Sequence, residues 1–323
     1  MDRELRTALK ELGTYWVLEE CSGSDVGDER LNARYKSVLG SISKDSQAPL
    51  NQVCETWGET LGAYRFINNE RVTVEKLLLP HRESLRERAK GEQTVLMVQD
   101  TTYYSFDNHH ACEGLGFIGS GVNSDLKGLI QHSVLGITPE GVPLGIADIQ
   151  FTTREELLGR GISRYGQPIT EKESYRWIAS VEQTKELFSE DQQVVYVCDS
   201  EADMFELLSF VKQSGRKFVI RCRYDRLLED GGNISMALEQ AEPSAFLTVD
   251  IISNGSREAR EASVEIRYTT VELSIPRQLE CLGVFSDEPL TVGVVGVKEV
   301  DGCSEDPMHW ILLTNVELRS SKK

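Results

Sequence analysis

Two short stretches hold residues that could do chemistry together. Asp100-Thr101-Thr102 ends the apolar run that begins at Thr94, and Asp199-Ser200-Glu201-Ala202-Asp203 follows the apolar run Gln193 to Cys198. Each run reads as a short buried strand that finishes in an acid. If the two strands are neighbours in one sheet, Asp100 and Asp199 project from the same edge. Two close carboxylates repel each other unless they share a cation. Oxygen donors with room for water suit Mg²⁺ or Mn²⁺. Two such ions about 4 Å apart can activate a water and stabilise a leaving oxygen in phosphodiester chemistry. The same residues have a plainer use. An Asp at a strand end caps the helix that follows, and acids such as Glu201 and Asp203 are favoured in a helix's first turn by its dipole. Spacing alone leaves both readings open.

The elements that must position these acids can be read on either side of them. Residues 1–92 predict an all-helical unit. Apolar positions recur at helical spacing from Leu5 to Trp16 and from Leu31 to Ile42, where Asp28 is the cap, and again over Trp57–Ile67 and Val74–Ala89. Strands follow from Thr94. His132–Ile137 and Val142–Phe151 flank the turn Thr138-Pro-Glu-Gly141 and form a hairpin. Glu171–Phe188 and Ala202–Lys212 read as helices, and Lys217–Arg223 as a further strand. The order predicts an α/β domain over residues 93–323, with helices covering a mixed sheet. Residues 224–307 read as a β-rich insertion, after which the apolar strand Trp310–Asn315 returns to the sheet.

Composition sets limits on partners and compartment. The chain has 323 residues, 40% hydrophobic, enough for two or three structural units. It has no apolar run of about 18 residues and no leader pattern at Met1-Asp2-Arg3-Glu4-Leu5, so neither a membrane partner nor export is expected. The seven cysteines have no Cys-x-x-Cys pairing and read as reduced thiols of a cytoplasmic protein. Net charge is −17, and the acid excess grows along the chain, to 9 basic against 18 acidic groups over residues 224–323. That weighs against a broad phosphate-binding surface and leaves room only for a local basic groove. His109-His110 with Cys112 and Glu113 has the residue types of a transition-metal site, but its spacing matches no standard zinc site and a polar loop is the expectation. Arg65, on a predicted helix, either meets phosphate or pairs with Glu59 or Glu70.

Six stretches in order, spanning about residues 28–315, resemble the bacterial DDE cut-and-paste transposases of the transposon-five and insertion-sequence-four type. They are Gly62–Asn68, Asp100-Thr-Thr with Glu113–Gly119, His132-Ser-Val-Leu, Glu171–Ser174 with Trp177, Asp199-Ser-Glu-Ala-Asp203, and Lys217–Arg221 with Trp310-Ile-Leu-Leu-Thr. The resemblance implies an RNase H-like core, Mg²⁺ or Mn²⁺ on catalytic Asp100 and Asp199, and double-stranded DNA at transposon ends as partner. It implies DNA contacts at Arg65, Thr101, Thr102, Arg221 and Trp310, with Trp310 stacking on a flipped base. The chain departs from the pattern in two respects. Ser200 stands where the family usually has arginine, and no Tyr-x-x-Arg-x-x-x-Glu segment supplies the third acid after Trp310. The expectation is a C-terminally truncated, monomeric and inactive transposase lacking the dimerisation region. The alternative is a non-catalytic DNA-binding relic or regulator of transposition.

Overall fold

The computed structural model describes residues 15–108, 111–119, 125–154, 167–253, 258–276, 279, 289–300 and 307–317. The chain divides into two compact units, one formed by residues 1–92 with 134–149 and the other by 93–133 with 150–323.

The first unit is built on helices. They are α1 (Tyr15–Glu20), α2 (Glu29–Ile42), α3 (Leu50–Val53), α4 (Trp57–Ile67) and α5 (Val74–Ala89). Helix α2 starts where Asp28 accepts from the backbone of Arg30 and Leu31, and α4 where Thr56 and Glu59 form a reciprocal capping box. Val17, Cys21, Val26, Tyr35, Val38, Ala63 and Phe66 make one buried cluster. The hairpin segment joins this unit through α5. The guanidinium of Arg82 donates to the Ala147 carbonyl at 2.6 Å and to the buried Asp148 carboxylate at 2.8 Å. Arg88 donates to the Leu144 carbonyl. Sequence periodicity could not show that residues 134–149 belong here, because an arginine on a helix does not name its partner strand.

The strands are β1 (Thr94–Ser105), β2 (Gly116–Phe117), β3 (Lys127–Ile137), β4 (Pro143–Thr152), β5 (Gln193–Cys198), β6 (Lys217–Arg221), β7 (Pro243–Ile251), β8 (Arg260–Leu273), β9 (Leu290–Glu299) and β10 (His309–Thr314). They form a single sheet in the order β2-β3-β1-β5-β6-β10-β9-β8-β7, with β4 paired to β3. β1, β5 and β6 run parallel, and β10 lies antiparallel to β6 on one side and to β9 on the other. The fold is therefore mixed α/β, with only helices as regular elements over residues 15–92 and a β-rich insertion. The insertion's strands do not form a layer of their own. They continue the central sheet beyond β10, and the insertion also carries the helix α8 (Ile234–Gln240), which the β pattern around it concealed.

Two further helices flank β5. α6 (Tyr175–Thr184) is shorter than the Glu171–Phe188 periodicity suggests, because Ile169–Glu171 forms a separate 3₁₀ turn. α7 (Phe205–Gln213) begins three residues later than expected, because Ser200–Ala202 is a 3₁₀ turn. Trp177 and Val181 of α6 and Phe205, Leu207, Leu208 and Val211 of α7 are buried. No helix among the described residues is long and apolar enough to cross a membrane.

Candidate functional site

The parallel strands fix a row of side chains. Gln99 of β1 lies opposite Cys198 of β5, and Cys198 lies opposite Ile220 of β6. One step further along both registers stand Asp100, Asp199 and Arg221. Gln99, Cys198 and Ile220 are buried, whereas Asp100, Asp199 and Arg221 are exposed. Alternate residues of a strand face opposite sides, so Asp100 and Arg221 lie on the face opposite Gln99 and Ile220, and Asp199 is the first residue past β5, the strand between theirs. Thr102, two residues beyond Asp100 and exposed, falls on that face as well.

The Asp100 carboxylate has no hydrogen bond or ion pair among the described residues. Asp199 uses Oδ1 to accept the Glu201 amide at 2.9 Å, so it caps the 3₁₀ turn with one oxygen. The plain capping reading and the cation reading are thus compatible: capping occupies one oxygen of one acid. Neighbouring oxygen donors without a basic partner fit a hard divalent cation. The other nearby acids are committed elsewhere. Asp203 is buried, and its carboxylate accepts the amides of Arg223 and Tyr224 at 2.7 and 3.0 Å and pairs with Arg226 at 2.5 Å. Glu201 lies 3.4 Å from Arg176. Among the described residues no three His, Cys, Asp or Glu side chains form a group that could hold a metal.

The row extends to an aromatic. Leu312 of β10 lies opposite Arg221, and Trp310 is two residues along on the same face. The Arg221 guanidinium sits 5.2 Å from the centroid of the Trp310 ring. Trp310 is 41% exposed, so the pair offers a flat apolar surface and a cation to solvent together. Of the candidate residues, the sheet brings together Asp100, Thr102, Asp199, Arg221 and Trp310. Arg65 is on α4 of the other unit, exposed, and pairs with neither Glu59 nor Glu70; Glu59 is occupied by the capping box.

Thr101 is on the opposite face from Asp100 and its hydroxyl is engaged within the protein. It lies 2.9 Å from His132 Nδ1 and accepts from Arg176 Nε at 3.2 Å. His132 Nε2 is 3.1 Å from Gln99 Oε1, so the imidazole bridges the two residues that flank Asp100. It packs edge-on to Trp177, with centroids 4.5 Å apart. Burial and then the Arg176 charge hold His132 down at about 3, well below the ordinary histidine value. With the imidazole neutral and Gln99 oriented as here, Nε2 donates to Gln99 and Nδ1 accepts from Thr101. Glu173 is pushed up by burial and brought below the usual carboxylate range by bonds from Arg154 and Arg176. Arg154 and Arg176 were not singled out by sequence, and His132 and Glu173 entered only as members of the quoted stretches, with no role assigned to either. The available signal was Arg176 beside Trp177 at the buried start of an amphipathic helix.

Residues 14–72 match the transposase DNA-binding family model. The matched stretch spans α1 to α4 with their shared core, so the likeness falls on the helical unit. The piggyBac transposase in its synaptic complex with hairpin DNA is structurally similar over 97% of this chain, at 10% identity and a TM-score of 0.40. This chain spans 60% of the length of that one. Arg65 lies inside the matched stretch. His109 and His110 lie outside the described residues; Cys112 is exposed with a free thiol. Cys21, Cys54, Cys198 and Cys222 are free thiols too.

Proposed function

We propose that this chain is the DNA-binding and strand-cleaving part of a DNA transposase of the bacterial transposon-five and insertion-sequence-four type, acting on double-stranded DNA at transposon ends. The observation that carries the reading is the row Asp100, Asp199, Arg221 at one edge of three parallel strands, in a chain whose helical unit matches a transposase DNA-binding domain. The strand order, with the β3–β4 hairpin beside β1 and parallel β5 and β6 beyond it, supports an RNase H-like core. Asp100 and Asp199 would hold Mg²⁺ or Mn²⁺, which supplies an activated water and a counter-charge for the leaving 3′ oxygen. Arg221 and Trp310 bind and orient the strand, the guanidinium meeting phosphate and the ring stacking on a base. Thr102 is placed to donate to the backbone near the acids. Arg65 contacts phosphate from the DNA-binding domain. A cytoplasmic location goes with this reading.

A specific observation favours a second reading, a non-catalytic DNA-binding regulator of transposition. Among the described residues no third acid joins Asp100 and Asp199, because Asp203 and Glu201 are bound to arginines. A strand-nicking assay of residues 1–323 on candidate end sequences with Mn²⁺ separates the two. End-specific nicking abolished by Asp100→Ala supports the enzyme. End-specific binding without nicking supports the regulator. Absence of end-specific binding rejects both.

A further inference from the structure

The two acids are on separate strands, and a shared cation needs the offset between them to be fixed. Backbone pairing of β1 with β5 ends at Gln99 and Cys198, one residue before the acids. Beyond that point Asp199 enters a 3₁₀ turn, and its carboxylate is oriented by the Glu201 amide. Something else must tie that turn to β1.

Arg176 makes this tie from α6. It is 9% exposed, and each of its five donors has an acceptor. Nε donates to Thr101 Oγ1 at 3.2 Å. Nη1 donates to the Glu173 carbonyl and carboxylate at 3.3 and 2.9 Å. Nη2 reaches Tyr103 Oη at 3.5 Å and Glu201 Oε2 at 3.4 Å. Arg154 grips the other side of Glu173 at 2.7 and 2.9 Å, so the anchor is itself braced. One planar fork thus joins the residue after Asp100 to the residue whose amide orients Asp199. A lysine has no such fork and could reach one side only.

We propose that Arg176 is the positioning residue of the two-acid site, fixing the Asp199 turn against the strand that carries Asp100. The inference rests on the proposed cation role of those acids for its purpose, but its structural content can be tested without metal. The test is hydrogen exchange at the Glu201 amide in the full chain, read over the segment 199–204. Arg176→Met should speed that exchange at least tenfold while the β5 amides of Val195 and Val197 stay protected. Arg176→Lys should not restore it, since one ammonium cannot span Thr101 and Glu201. Val181→Ala, a core truncation on the same helix, should lower the melting temperature without speeding Glu201. Should Arg176→Met fail to fold, Thr101→Val removes the shorter of the two β1 contacts, leaving only Tyr103 Oη at 3.5 Å, and should speed Glu201 in the same direction. Glu201 exchange at the wild-type rate in Arg176→Met, or in Thr101→Val if that variant stands in, would overturn the proposal. So would equal acceleration in Val181→Ala. Faster exchange at Glu201 in a chain whose acids bind no Mn²⁺ would uphold the tie and reject the cation reading alone.

Discussion

At the scale of the residue, His132 shows how the fold spends a titratable group on placement. Its imidazole is held neutral between Gln99 and Thr101, with a value near 3 in the folded chain against an ordinary 6.5. The unfolded chain takes up this proton as pH falls through about 6.5, whereas the folded chain resists until near 3. The stability this group contributes is whole above 6.5 and is lost progressively as pH falls from 6.5 toward 3, a loss of several kcal/mol. Urea midpoints measured from pH 7 to pH 4 should fall in the wild type and fall less in His132→Gln; equal slopes would refute it. Trp310 tests the other end of the site. Trp310→Ala should lower the melting temperature modestly, since more than half of the residue is covered, and should weaken binding to a single-stranded or frayed end by about 1–3 kcal/mol. Unchanged affinity in a fluorescence titration would remove Trp310 from the DNA surface.

At the scale of the element, two clamps decide how the functional segments are held. The loop after β6 is fastened to the turn after β5 by Asp203, which is 4% exposed and bound to two amides and Arg226. Asp203→Ala leaves that arginine without its carboxylate and should cost about 3–5 kcal/mol in chemical denaturation. A loss below about 1 kcal/mol would mean that the loop holds itself. In the helical unit, burial pushes Glu20 up and bonds from His81 and Arg88 outweigh it, bringing the carboxyl to about 2. That contribution is full above the ordinary 4.5 and disappears as pH falls toward 2, about 3 kcal/mol in all. Glu20→Gln should remove most of the stability difference between pH 5 and pH 3 from this unit, as read by helix signal against denaturant. The helices α2, α4 and α5 and the strands β5 and β6 were legible because each has a cap or a clean apolar run, as with Asp28 and Thr56. α8 and β7 were not, since Ile234–Gln240 has only two buried residues and β7 is largely exposed, so neither leaves a periodic signature.

At the scale of the whole molecule, the proposed function sets a chain of net charge −17 against a polyanion. Arg221 stands beside Trp310, while in the insertion Arg260 pairs with Glu299 and Arg267 with Glu265. Should DNA contact be confined to local cations such as Arg65 and Arg221, binding would show a shallow dependence on salt, with a slope equivalent to only a few phosphates. The parallel neighbourhood of the two strands that end in Asp100 and Asp199 was foreseeable from two apolar runs that finish in an acid. The register that aligns them was not, because it depends on which residue of β5 meets which residue of β1. The brace behind them was equally hidden, since Arg176, Glu173 and Arg154 meet only through tertiary packing. The central claim is that Asp100 and Asp199 form one cation site, and Mn²⁺ titration followed by electron paramagnetic resonance tests it most directly. The account predicts a weak site in the wild-type chain that disappears in Asp100→Asn and in Asp199→Asn, each still folded. Mn²⁺ binding of the same affinity in both variants, or none in the wild type, would contradict it.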